Sequence, residues 1–146
     1  MIDETDRAIL HRLILGARVS LKELASAVRL SSPSTSERLR RLEERGVIRG
    51  YTVELDPQRL GHALQAIVRI RPLPGRLQAV QKLIEAIPEV VECDKVTGED
   101  CYVARLFVRS MEHLDEVVEP ITQEATTHTA IVKSQVVRRR PPPIGR

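Results

Sequence analysis

LSSPSTSERLRRLEER, residues 30–45, has the pattern of a short helix with one buried stripe and one polar face. Ser32 can cap a helix whose first residue is Pro33, a position where the missing N–H costs nothing. Thr35, Leu39 and Leu42 recur at helical spacing and give a narrow inward stripe. The opposite side carries Glu37, Arg40 and Arg41, flanked by the small hydroxyls of Ser34 and Ser36. A surface that starts small and polar and turns arginine-rich suits a DNA groove. Taken alone, the same pattern also describes a solvated amphipathic helix. The flanking segments decide between the two.

Upstream, Asp3 can cap a first helix, with Asp6 adding negative charge where the helix dipole favours it. Ile9, Leu10, Leu13 and Ile14 form its inner face, and Gly16 ends it. Ser20 and Glu23 then have capping-box spacing, and Val19 with Leu24 has that of a hydrophobic staple. These two start signals open a second helix with Leu21, Leu24, Ala25 and Val28 inward. Arg29-Leu30-Ser31 is short enough to make the pair a helix-turn-helix. Gly46 follows as a C-cap, and the β-prone residues 47–55, bent at Gly50, read as a small wing.

The 146 residues carry a net charge of +3 that is unevenly spread. Residues 1–50 hold ten Lys/Arg against seven Asp/Glu, and residues 51–137 hold nine against thirteen. A basic head on an acidic body points to a polyanion partner for the head alone. With one Phe, two Tyr and no Trp, the chain lacks the aromatic platforms of single-strand binders. No apolar run is long enough to span a membrane and no leader opens the chain, so a cytoplasmic protein is expected. Cys93 and Cys101 fit neither a disulfide framework nor a metal site, and the histidines at 11, 62, 113 and 128 share no ligand spacing. His113, in the first turn of a helix, reads as a surface residue. No nucleophile–base pair or phosphate-binding glycine loop is present, so neither catalysis, metal nor cofactor is expected.

From His62 the pattern alternates, with Leu64, Ala66, Val68 and Ile70 on one side and Gln65, Arg69 and Arg71 on the other. Leu77, Val80, Ile84 and Ile87 mark a helix stopped by Pro88. Residues 90–96 and 102–109 are strands around a Gly98-Glu99-Asp100 turn. Ser110 caps a helix with Leu114, Val117, Val118 and Ile121 inward, and residues 127–137 form a last strand. The order β-α-β-β-α-β is the ferredoxin-like arrangement. Ile67, Val103, Phe107 and Ile131 are assigned to its uncovered sheet face, which predicts self-association. The expected class is therefore α+β: a winged helix-turn-helix over residues 1–50, a linker strand over 51–61, a ferredoxin-like domain over 62–137 and a basic, proline-rich tail over 138–146. The tail, with Arg138, Arg139 and Arg140 before three prolines, reads as solvated in preference to a supplementary phosphate contact.

The residues LKELA (21–25), Leu30-Ser31 and RLEERGVIRGY (41–51) resemble the head of the leucine-responsive/asparagine (Lrp/AsnC) regulators. PEVVEC (88–93), VTGE (96–99) and TTHTAIV (126–132) are similar to that family's effector-binding body. The resemblance implies binding to double-stranded DNA, homodimers built through the open sheets, and assembly into octamers or similar rings. It also implies an amino acid or related effector, bound near Thr97, Gly98, Glu99, Asp100 and Cys101 and near Thr127, His128 and Thr129. Many members carry Asp at the position of Cys101, whereas here the acid stands one residue earlier, at Asp100.

The candidate DNA contacts are Ser32, Ser34, Ser36, Glu37, Arg38, Arg40 and Arg41. Arg38 lies nearer the buried stripe, so pairing with Glu residues of the head competes with a role at DNA. Glu37 repels phosphate unless it reads a cytosine amine. A low-specificity architectural DNA binder and a siroheme-decarboxylase-like enzyme, the latter using Arg69, Arg71 and His128, are the alternatives on the same two-domain plan.

Overall fold

Capping chemistry sets the boundaries of the three N-terminal helices. In the computed structural model, which describes residues 1–145, α1 spans Glu4–Leu15, α2 Leu21–Ala27 and α3 Ser32–Glu44. Asp3 and Asp6 form a reciprocal capping box on α1, and Ser20 and Glu23 form another on α2. The cap of α3 is Ser31, not Ser32: its Oγ accepts the Ser34 N–H at 3.2 Å, which leaves Pro33 in the first turn. One residue from each helix, Ile9, Leu24 and Leu42, is fully buried at the centre. At full burial each contributes about 1.5–3 kcal/mol. Ile14 and Leu21, expected inward, are 50% and 40% exposed, because a core this small covers only one narrow stripe of each helix.

Both helix-turn-helix helices end in the same way. After α3, the Gly46 N–H donates to Glu43 and the Val47 N–H to Leu42, with Gly46 at φ +69°. After α2, the Arg29 N–H donates to Ser26 and the Leu30 N–H to Ala25, with Arg29 at φ +55°. These are paired Schellman closures, and the second places an arginine where glycine is favoured. A left-handed L-residue costs about 1–2 kcal/mol, partly offset by the entropy that glycine would lose. Arg29→Gly is therefore expected to stabilise the head by about 0.5–1 kcal/mol, read as a raised Tm in a thermal melt.

Residues 49–56 form neither helix nor strand, and the expected linker strand over 51–61 is replaced by this irregular segment and a short 3-10 helix at Gln58–Leu60. Tyr51, Val53 and Leu55 are all exposed. Met1–Glu54, joined by the tail from Arg140 onward, forms one compact unit, and Leu55–Arg139 forms the other.

In the second unit, β1 (Leu64–Pro72), α4 (Leu77–Ala86), β2 (Val90–Lys95), β3 (Tyr102–Val108), α5 (Met111–Thr122) and β4 (Ala125–Ile131) follow in chain order. The sheet is antiparallel with strand order β2-β3-β1-β4, the ferredoxin-like topology. Ala66, Val68 and Ile70 of β1 and Tyr102, Ala104, Leu106 and Val108 of β3 form the inner face. They pack with Val80 and Ile84 of α4 and with Leu114, Val118 and Ile121 of α5. Ser110 caps α5 as its position predicts, its Oγ accepting the His113 N–H at 3.1 Å.

Two expectations for the last strand are corrected. It ends at Ile131 instead of residue 137. Ile131 also pairs with Ala66 and Thr129 with Val68, so Ile131 lies on the helix-covered side and not on the open one. The open face carries Gln65, Ile67, Arg69, Val103, Arg105 and Phe107, with His128 opposite Arg69 and Ala130 opposite Ile67. His113 is not a surface residue either. Its ring is 12% exposed, with Nδ1 accepting the Arg109 N–H at 3.1 Å and Nε2 lying 3.2 Å from Glu89 Oε1.

Candidate DNA-binding helix and effector site

The start of α3 leaves its polar groups outward. Ser34 and Ser36 are exposed, while Thr35 beneath them is fully buried, its hydroxyl donating to the Ser31 carbonyl at 2.9 Å. Ser32 is half-buried beside the cap. The first turn is thus fixed by its own backbone, and its hydroxyls face solvent.

Further along, every arginine of the helix is held by a carboxylate. Arg38 Nη1 lies 2.6 Å from Asp3 Oδ2 and 2.8 Å from Asp6 Oδ1. The two residues that cap α1 therefore use one oxygen each on the cap and the other on α3. Arg38 is an anchor that orients the helix, and its partners are these aspartates and not the glutamates that the sequence offered. Arg45 adds a second tie, donating to the Met1 carbonyl at 2.9 Å. Nothing in the spacing of residues 3, 6 and 38 announces the clamp, because it joins helices that meet only in the fold.

On the outer side, Glu37 receives Arg40 at 2.8 Å and Arg41 at 2.9 Å, and Arg40 also reaches Glu44. The two guanidiniums hold the Glu37 carboxyl down to about 2, with the Arg40 hydrogen bond the larger influence. Glu37 accordingly stays ionised at neutral pH and fixes the rotamers of both arginines. Ser32–Glu44 carries three arginines and three glutamates, so α3 as a whole is neutral.

In the body, the loop between β2 and β3 meets the end of β1. Asp100 Oδ2 lies 3.6 Å from Arg69, and Arg71 bonds the Glu99 carboxylate as well as its carbonyl, the latter at 3.2 Å. Gly98 takes φ +110°, which the tight turn requires. The Cys101 carbonyl accepts the Val96 N–H at 2.8 Å and closes the hairpin, while its side chain is half-buried against the core. His128 lies across the sheet from Arg69. From the sequence, Arg69 and Arg71 are expected on the polar side of β1 and are candidates for a site only in the enzymatic alternative. Their place on the polar side of β1, aimed at an acidic turn, was the available signal.

The structure does not gather all eight effector candidates. Thr97, Gly98, Glu99, Asp100 and Cys101 make the loop, and His128 shares the open face with Arg69. Thr127 and Thr129 pair with Ile70 and Val68, both inward, so they turn to the other side of the sheet. There they line a groove of about 520 Å³ between β4 and α5, with Met111, Val118 and Glu119. A side-chain period of two separates neighbours in a strand onto opposite faces. Among the described residues no cluster of His, Cys, Asp or Glu is arranged to hold a metal, and no helix is long and apolar enough to cross a membrane.

Comparison with known proteins places both halves. Residues 2–49 match the winged helix-turn-helix DNA-binding family, and residues 65–142 match the Lrp/AsnC ligand binding domain. The HTH-type transcriptional regulator LrpA of Mycobacterium tuberculosis is 36% identical over 129 residues, 88% of this chain and 86% of that protein. The solved structure of LrpC from Bacillus subtilis superposes with a TM-score of 0.89 at 28% identity, covering 95% of this chain and 99% of that one. A feast or famine regulatory protein of M. tuberculosis, solved as a complex with L-methionine, gives a TM-score of 0.88 at 33% identity and covers 97% and 98%. The relatives carry the names of regulators, not enzymes.

Proposed function

Because the chain belongs to the Lrp/AsnC family of DNA-binding transcriptional regulators, we propose that it acts as a homodimer with two recognition helices in successive major grooves, controlled by an amino acid or related small molecule bound by the body. The observation that carries this reading is the exposed hydroxyl-and-arginine surface of α3, held in fixed orientation by the Arg38 clamp. Ser32, Ser34, Ser36, Arg40 and Arg41 are the proposed readers. Glu37 presents the arginines, and Arg38 positions the helix.

The open face of the sheet supports the dimer. Ile67, Val103 and Phe107 stand there half-buried, facing away from the core, and a second copy would cover them. Further assembly of dimers, into octamers or similar rings, is part of the same reading.

For the effector, the relative complexed with L-methionine supports an amino acid. The chemistry at the loop fits one. A zwitterion needs a cation for its carboxylate and an anion for its ammonium, and Arg69 and Arg71 stand beside Asp100 and Glu99. Asp100 takes the part of the acid that Cys101 cannot supply. Thr127 and Thr129, on the other side of the sheet, are outside this proposed pocket.

Fluorescence anisotropy on the gene's own upstream DNA, repeated with each amino acid, tests the whole reading. A true effector must shift both DNA affinity and Tm, since differential binding appears in both. Arg41→Ala is expected to weaken operator binding by about 1 kcal/mol or more. Unchanged affinity at matched salt would remove Arg41 from the interface, and the absence of any duplex binding would sink the reading as a whole.

A further inference from the structure

The DNA reading leaves α3 itself without spare charge. Phosphate contacts by Lys and Arg supply essentially all of a regulator's sequence-independent affinity. The recognition helix has no net charge, and each of its arginines is bonded to a carboxylate. The densest cationic run in the chain lies elsewhere, in Arg138, Arg139 and Arg140. All three are exposed and make no ion pair among the described residues.

The division of the chain into two compact units falls inside this run: Arg138 and Arg139 close the body unit, and Arg140 opens the stretch that groups with Met1–Glu54 although the 85 residues of Leu55–Arg139 intervene in sequence. Ile144 is half-buried, while Pro141, Pro142 and Pro143 are exposed. The prolines favour an extended conformation, which keeps the preceding arginines out of any helix and lowers the entropy lost on binding.

Resting on the DNA-binding reading above, we propose that Arg138, Arg139 and Arg140 form a second phosphate-contacting element, an arm at the point where the chain rejoins the head unit. Its contacts are with the backbone, so it adds affinity without sequence choice. The arm supplies charge, and α3 supplies discrimination. This departs from the solvated tail that the sequence alone favoured, and the reason is the return of residues 140 onward to the head.

The test compares the full-length wild type with the triple variant Arg138→Gln, Arg139→Gln, Arg140→Gln and with the corresponding triple Lys variant. Binding to the upstream fragment and to a random duplex is measured by anisotropy across a salt series, with light scattering on the same samples. For the Gln variant, the slope of log K against log salt is expected to become shallower by about 2–3 per engaged tail, with affinity at 0.1 M salt down about tenfold or more on both duplexes. The Lys variant should keep the wild-type slope. An unchanged slope in the Gln variant overturns the proposal. So does a loss of affinity that accompanies a fall in assembly mass, since the tail would then act through self-association. A wild type that binds no duplex defeats the regulator reading itself, a result distinct from either.

Discussion

Arg38→Ala is expected to lose operator binding almost completely and to destabilise the head by about 1–3 kcal/mol, the cost of stranding a buried carboxylate. Asp6 is only 8% exposed, and its Oδ1 has Arg38 at 2.8 Å. Removing the guanidinium leaves that oxygen without its charged partner and loosens α3 against α1, which the Arg45 tie and the Ile9–Leu42 core still hold. For a domain of this size, each kcal/mol corresponds to roughly 4–8 °C in Tm. A reader and an anchor are separable by experiment. If Arg38 only touched DNA, Asp6→Asn would leave both Tm and affinity alone. If it orients the helix, Asp6→Asn reproduces part of both losses, although residue 6 carries no positive charge to offer a phosphate. Wild-type Tm in Arg38→Ala would refute the anchor.

The clamp also gives the head an acid limit. The Asp6 N–H, with Arg38 second, holds the Asp3 carboxyl below its usual range, and the Ser20 N–H does the same for Glu23. Glu37 is held down to about 2. Each is a group whose folded value is depressed, so its contribution is present above its unfolded value, about 4 to 4.5, and is lost as pH falls through the folded one. A melt series from pH 5 toward pH 2 should therefore show Tm falling steadily, with a smaller fall in Arg38→Ala, which has already lost one of the causes acting on Asp3.

Much of this architecture was legible because local chemistry and global fold agree. Ser20 with Glu23, Asp3 with Asp6, Ser110 and Gly46 each mark a helix boundary within four residues of sequence, and each boundary stands where they put it. The alternation of β1 and β3 likewise survives residue by residue, since one face of each is sealed by helices. What the sequence hid is long-range. Ile131 follows the alternation of its own strand, but only the pairing with Ala66 tells which side that is. The same register divides the Thr-rich segment between two faces. Asp3, Asp6 and Arg38 look like a cap, a first-turn acid and a surface arginine until two helices cross. The returning tail has no local signature, because composition reports its charge and not its place.

Phe107→Asp is expected to leave the body folded and to abolish the proposed dimer. Phe107 alternates with the buried Leu106 and Val108, so its side chain is on the open face, opposite Gln65. The core on the other side does not need it, and far-UV circular dichroism and Tm should stay near wild type. At a covered interface, a truncated aromatic anchor alone costs about 2 kcal/mol or more, and a buried, unpaired carboxylate adds to that. Self-association should thus weaken by at least ~30-fold, read as a monomer in sedimentation at concentrations where wild type is dimeric. DNA binding should follow. Each α3 reaches one half-site, and joining two heads makes the second contact intramolecular, a gain on the order of 10²-fold or more that the variant forfeits. The loss must appear on a two-half-site operator and vanish on a single half-site, because the variant head is intact. A dimer that persists in Phe107→Asp would show that the open sheet is not the interface. The specificity of the recognition helix would then need another partner surface, with the α5/β4 groove next in line for mutation.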